Sequence, residues 1–378
     1  MRSHFIFLAI ALTTIACGGS DQPPPAIPTT PPPAPLPSAS ATADAVDAGV
    51  ATAPPIAAPT YPPPKATTIS LASTAGDACD VELKAGDDAF EANDLDAAQS
   101  HYLAAKKAGS KRAGPLVGIA RVKIAKQNIA YDFAAAKGNA EITAAAKDLR
   151  GAAKIDPAFG PAQVELGRAL LLLGDAAGAI DALKKGATLL PNDPEAHSAL
   201  GVAWLATGHG DEAVTEMGKA AQLDPGSAAR HGNYGTTLLM RGKTPQAISE
   251  YQAAVAIDDS DARAHADLGT ALLGDNQVTR AIPELRRAIA LDPKRATFHS
   301  NMGYALQIEG KMPEAEAEYR EAIKDDPTLA SAWINLATLL SKDPKRRTEA
   351  RAALEKAKAI DPTDPRVKAN LEELDALH

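Results

Sequence analysis

ARAHADLGTALLGDNQVTRAIPELRRAIALDPKR, at residues 262–295, is followed without a gap by ATFHSNMGYALQIEGKMPEAEAEYREAIKDDPTL at 296–329. Both segments are 34 residues long, and they align without an insertion. Gly269 matches Gly303, Leu272 matches Leu306, Ala281 matches Ala315, Leu285 matches Tyr319 and Pro293 matches Pro327. A period of this length marks a stack of supersecondary units, each too small to bury its apolar face alone. Working outward, Pro157, Pro191, Pro225, Pro293 and Pro327 fall on one 34-residue grid, with Asp259 in the missing slot. Gly167, Gly201, Gly235, Gly269, Gly303 and then Ala337 hold one small position. Ala179, Ala213, Ala247, Ala281, Ala315 and, after a one-residue slip, Ala350 hold another. Small side chains there let two antiparallel helices approach closely, while the larger apolar residues between them fill the remaining space. Gly174, Gly208, Gly242, Gly310 and Asn276 recur at the end of the first helix, where the left-handed cap conformation is expected.

This grid resembles the tetratricopeptide repeat family. The resemblance implies an all-α fold, a right-handed superhelical solenoid of helix pairs with a concave groove lined by the first helix of each repeat. It covers about eight repeats over residues 79–364, followed by a C-terminal capping helix at 365–378. Residues 113–159 carry about 15 extra residues relative to the pattern, read as lengthened helices around Ile119–Ala136 and Ala140–Lys154. An extra residue near Lys342-Asp343-Pro344-Lys345 makes the last turn irregular.

The N-terminal part reads differently. Phe5 to Ile15 is an apolar run too short to span a bilayer, ending in Thr14-Ile15-Ala16-Cys17-Gly18-Gly19-Ser20. That ending resembles the lipobox of bacterial lipoproteins. The resemblance implies a signal peptide at 1–16, acylation of Cys17, and a bacterial cell-envelope location, at the outer membrane facing the periplasm. An ordinary secretory signal is the alternative. Residues 17–78 are expected to be a disordered Pro/Ala-rich tether, because 15 of the 29 prolines lie between 22 and 65 and leave little apolar surface to offset chain entropy. Cys79 is expected to be a small buried residue of the first helix, with an intermolecular disulfide as the alternative.

Net charge is −8 without a basic stripe, which argues against a nucleic-acid partner. His197, His231, His265 and His299 stand 34 apart. Equivalent residues in adjacent repeats are at least a helix spacing apart, roughly 10 Å, too far to share an ion whose bonds are ~2 Å. No metal is expected, and the rings are read as packing residues in the place that Trp333 fills in the last repeat. There is no phosphate loop, serine elbow or metalloprotease motif, so neither enzyme activity nor a cofactor nor a small-molecule substrate is expected.

The sixth position of successive repeats supplies the candidate site: Asn233, Asp267, Asn301 and Asn335. Asn301-Met302-Gly303 and Asn335-Leu336-Ala337 resemble the repeats of O-linked N-acetylglucosamine transferase, which implies a ladder of groove amides that bonds the main chain of an extended peptide. A carboxamide can both donate and accept, so it suits a peptide unit of any sequence. The same side chains could instead bridge neighbouring helices. Arg168 is the one strong cation expected on this face. Together these readings point to a membrane-anchored scaffold or assembly factor that binds a partner protein or peptide in the groove. An accessory regulator of a cell-wall or glycan-modifying enzyme is the alternative.

Overall fold

The computed structural model describes residues 69–73, 76–129 and 133–376. The expected signal segment, Cys17 and the tether up to residue 68 lie outside the described residues. Every regular element among the described residues is helical, and consecutive helices pack as antiparallel pairs. The first two pairs are α1 (Ala78–Glu91) with α2 (Leu95–Ala108), and α3 (Gly114–Ala125) with α4 (Ala140–Ile155). Next come α5 (Gly160–Leu173) with α6 (Ala176–Leu189), and α7 (Pro194–Ala206) with α8 (Gly210–Leu223). They are followed by α9 (Ala228–Met240) with α10 (Thr244–Ile257), and α11 (Ala262–Gly274) with α12 (Val278–Leu291). The last pairs are α13 (Ala296–Ile308) with α14 (Met312–Asp325), and α15 (Ala330–Leu340) with α16 (Arg347–Ile360). A single helix, α17 (Pro365–Ala376), packs on the end.

The small-residue grid explains the pairing. A methyl group at Gly167 would lie 2.3 Å from Cγ of Leu183, and one at Gly303 would lie 2.7 Å from the Tyr319 ring. Leu183 and Tyr319 are fully buried in the space that these glycines leave. Helix ends follow from local chemistry: Asp94, Asp175, Asp193 and Asp261 accept from first-turn amides. Gly174 and Asn276 turn the chain at φ 83° and 58°, conformations that most side chains resist.

Odd-numbered helices also touch their next-but-one neighbours, as in α1 on α3, α5 on α7, α11 on α13 and α15 on α17. They form the inner layer of the stack, and the even-numbered helices form the outer one.

Three expectations need correction. The first helix of the second repeat is not lengthened to Ala136: α3 stops at Ala125. Asn128 enters the left-handed region at φ 50°, and the amides of Ala134 and Ala136 donate to the carbonyls of Leu171 and Leu172 at 2.9 and 2.8 Å. The extra residues thus bond the last carbonyls of α5, that of Leu171 being shared with the Gly174 amide, rather than extending a helix. The fold also starts earlier than residue 79. Ile69 and Leu71 are 5% and 1% exposed, so residues 69–73 are packed rather than part of a disordered tether. Burying two aliphatic side chains stabilises them there by roughly 1.5–3 kcal/mol each. Finally, α1 begins at Ala78, with Asp77 as its cap. Cys79 is buried, and burial pushes its thiol above the ordinary value.

Candidate functional site on the inner helix layer

The inner layer divides into two chemically distinct stretches. From α1 to α9 it carries a continuous line of charges. Arg121 on α3 donates to Asp87 at 3.2 Å and to Glu165 at 2.9 Å, and its guanidinium lies over the Phe90 ring at 5.5 Å. Arg168 joins Glu165 at 3.4 Å and also pairs with Glu195. Arg230 then links Glu195 at 3.1 Å to Asp224 at 2.9 Å. Signs alternate along the whole line, and Arg121, Glu165 and Arg230 are almost completely buried. Burial pushes the Glu165 carboxyl up, but Arg121 and then Arg168 outweigh it and hold it below its ordinary value. Arg168, expected from the sequence as a lone cation, is therefore neutralised by two carboxylates. Arg121 and Arg230 are the cations that sequence reasoning missed. Nothing in their local sequence distinguishes them from surface arginines.

From α9 to α17 uncharged polar groups dominate the inner layer, with an Arg263–Asp267 ion pair among them on α11. Asn233, Asp267, Asn301 and Asn335 fall on α9, α11, α13 and α15, one per inner helix, and all four are half-buried. Asn301 donates to the Thr270 hydroxyl of the preceding inner helix at 3.0 Å, and Asn335 to that of Ser300 at 3.4 Å. Asn370 on α17 continues the pattern onto Thr338 at 3.1 Å. The bridging role is thus real for Asn301 and Asn335. Each bond uses one donor of a group that also carries a second N–H and an acceptor oxygen. Asp267 is an acid where its neighbours are amides. Burial raises its carboxyl to about 6, although Arg263 at 3.5 Å opposes the rise. Tyr304 and Ile308 share a face of α13 with Asn301, at spacings of three and seven residues, and both are exposed, as is Met240 at the end of α9. Sequence reasoning missed these three, although their positions on the same inner helices could have signalled them.

The four histidines are polar latches as well as packing residues. Nδ1 of His197, His231, His265 and His299 lies 2.6, 2.7, 2.7 and 2.7 Å from Glu216, Glu250, Glu284 and Glu318. Nε2 lies 3.0 to 3.2 Å from the carbonyl six residues earlier in each repeat. A carbonyl and a carboxylate both only accept, so the His231 and His299 rings satisfy both partners only as the imidazolium. Burial disfavours that form at His231 and His299, but Glu250 and Glu318 outweigh it, and both rings sit above the ordinary imidazole value. Trp333 keeps half of the device: its indole N–H donates to the Pro327 carbonyl at 3.0 Å. Each ring ties the second helix of its own repeat to the last turn of the preceding one, and the four rings stand one per repeat.

Models of the tetratricopeptide repeat match residues 138–203, 170–232, 235–296, 266–330 and 306–374. The chain is a tetratricopeptide repeat protein. A search of curated proteins found no match. Among solved structures, this tetratricopeptide repeat protein is similar to the anaphase-promoting-complex hetero-tetramer Cut9–Hcn1, with 16% identity and a TM-score of 0.55. The likeness covers 78% of this chain and 55% of that one, so the chain spans little more than half of that structure's length, and the likeness speaks for the fold alone. Shorter likenesses are to PilF of Pseudomonas aeruginosa and to YrrB, described as having an unusual peptide-binding site. PilF is 21% identical, with a TM-score of 0.48, over 58% of this chain and 98% of PilF. YrrB is also 21% identical, with a TM-score of 0.41, over 51% of this chain and 99% of YrrB. Tetratricopeptide repeat proteins bind other proteins or peptides, and the inner layer is the surface on which this one offers aligned polar groups.

Proposed function

We propose that this tetratricopeptide repeat protein is a scaffold or assembly factor that holds an extended segment of a partner protein against the inner faces of α9 to α17. One observation carries the reading: Asn233, Asp267, Asn301 and Asn335 stand one per repeat, half-buried, beside the exposed apolar side chains Met240, Tyr304 and Ile308. Repeated amides suit a main chain, and apolar neighbours suit alternate side chains of a strand-like ligand. The retained carboxylate at Asp267 supports a binding role. Burial destabilises its charged form, and three neighbouring repeats place an amide there at no such cost. The partner is a protein or peptide, and no reaction is assigned to the site.

The reading extends to the membrane. The sequence Thr14-Ile15-Ala16-Cys17-Gly18-Gly19-Ser20 supports lipid attachment at Cys17 and a place at the outer membrane facing the periplasm. Cys17→Ala should move the chain from the membrane to the soluble fraction. For the groove, crosslinking and mass spectrometry of the full chain should recover partner peptides attached near α9 to α17. Changing Asn233, Asn301 and Asn335 together to Ala should reduce that capture at least tenfold. Undiminished capture by a triple variant that keeps its native helical signal would remove the groove from the account.

A further inference from the structure

Ile69–Ser73 contains neither helix nor strand, yet it is fixed residue by residue. Ile69 and Leu71 are buried, Ser70 between them and Ser73 beyond them are exposed, and Ala72 is half-buried, so the alternation of an extended chain lying on a surface holds over residues 69–71. The Leu71 amide donates to Asp87 at 2.7 Å, and the Ser73 amide donates to Asp80 at 2.8 Å. Arg121 donates to the Ile69 carbonyl at 3.0 Å. The Ser73 hydroxyl donates to Asp80 at 2.7 Å and accepts from Arg112 at 3.1 Å. These contacts come from side chains of α1 and α3 and from the turn before α3, on the inner layer of the first two repeats. Among the described residues no strand ladder runs along the segment. Its main chain is read by side chains, its Leu71 carbonyl lies 3.2 Å from where a methyl at Gly114 would stand, and its Ile69 and Leu71 side chains join the same apolar core as Leu83. A groove receives a foreign extended peptide by the same means.

We propose that the inner face of α1 and α3 is a peptide-binding site whose resident occupant is Ile69–Ser73. Its ligand is an extended segment that alternates aliphatic and small polar residues. A partner segment of that chemistry takes the site in trans when the resident segment leaves. The site lies apart from the Asn233–Asn335 row and does not depend on the reading of that row. Leaving is chemically feasible because the covalent link from the segment to α1 runs through the short stretch 74–77, where Gly76 has a left-handed φ of 69°, and every other tie to α1 is non-covalent. The groups it leaves behind also keep partners: Asp87 retains Tyr102 at 2.8 Å and Arg121, and Arg121 retains Glu165.

The test uses the full chain with Ile69→Asp and Leu71→Asp, which evicts the segment without touching the groove. A fluorescein-labelled peptide with the sequence of residues 66–76 is titrated by anisotropy. It should bind the double variant at least tenfold more tightly than the unaltered chain, and the same peptide with both aspartates should not bind. Absence of binding to a variant with native helical content would overturn the proposal. Loss of helical content would overturn it as well, by making the segment part of the core. Hydrogen exchange on the unaltered chain decides independently of any variant. The Leu71 amide should exchange faster than the Leu83 amide of α1, and equal rates would sink the idea of a displaceable occupant.

Discussion

Consider Gly118→Ala in α3 beside Gly151→Ala in α4, the same chemical change in two helices of one repeat. Alanine is favoured over glycine within a helix by about 1 kcal/mol, so propensity alone stabilises both variants. At Gly151 a new methyl meets nothing within 4 Å, and the gain of about 1 kcal/mol should appear whole. At Gly118 the methyl would stand 2.4 Å from Cδ1 and 2.5 Å from Cγ of Tyr102. The ring cannot yield. Its other side is against Gly86, where a methyl would be 2.5 Å from Cε1, and its hydroxyl donates to Asp87 at 2.8 Å. Overpacking of a fixed core costs about 1–3 kcal/mol, and this site belongs at the upper end. The net effect at Gly118 is a loss of roughly 1–2 kcal/mol after the propensity gain. The two variants should therefore differ by about 2–3 kcal/mol, or roughly 30- to 160-fold in local opening. Repeat arrays do not always unfold in one step. Amide exchange of the α3 and α4 core is therefore a better assay than a single melting midpoint. A Gly118→Ala chain as well protected as Gly151→Ala would refute the idea that small residues set the helix spacing.

Asp267→Asn tests the acid on the inner face. Its folded carboxyl is raised by burial from 3.8 to about 6, so ionisation destabilises the free protein as pH climbs through that interval. The amide variant should be more stable at pH 7.5, with the gain shrinking as pH falls from 6 towards 4. A variant less stable than the parent in urea melts at pH 7.5 would contradict this. The histidine latches predict a slope of the same sign at higher pH. His231 faces Glu250 and Asp224, and His299 faces Glu318 with Asp325 at 4.0 Å. Both rings are raised, so their stabilisation is complete below the ordinary imidazole value near 6.5 and is lost as pH rises through the folded value. Glu250→Gln with Glu318→Gln should flatten that loss between pH 6 and 8. An unchanged slope would mean that these carboxylates do not hold the imidazolium.

Much of the candidate site was legible before any geometry. The row Asn233, Asp267, Asn301, Asn335 follows from the repeat phase, since one position per period must return to the same face of the stack. Its partners did not follow. Asn301 meets Thr270 rather than a residue of its own repeat, and only the offset between successive inner helices decides that. The histidines were read as packing residues, and the latch was missed although a glutamate stands 19 residues after each of the four. A spacing of 19 has no meaning on one helix. It acquires one when the turn brings the second helix back beside the first.

Helix spans, caps, small contact positions and the stacking of pairs were set by residues within one period, because helix propensity and capping act over a few residues. Tertiary structure alone decided the end of α3, the burial of Ile69 and Leu71, and the charge line from Asp87 to Asp224. These depend on groups far apart in the chain, such as Arg121 and Ile69 at 52 residues. A buried charge is tolerated only where an opposite one arrives to meet it, and that meeting is a property of the assembled stack.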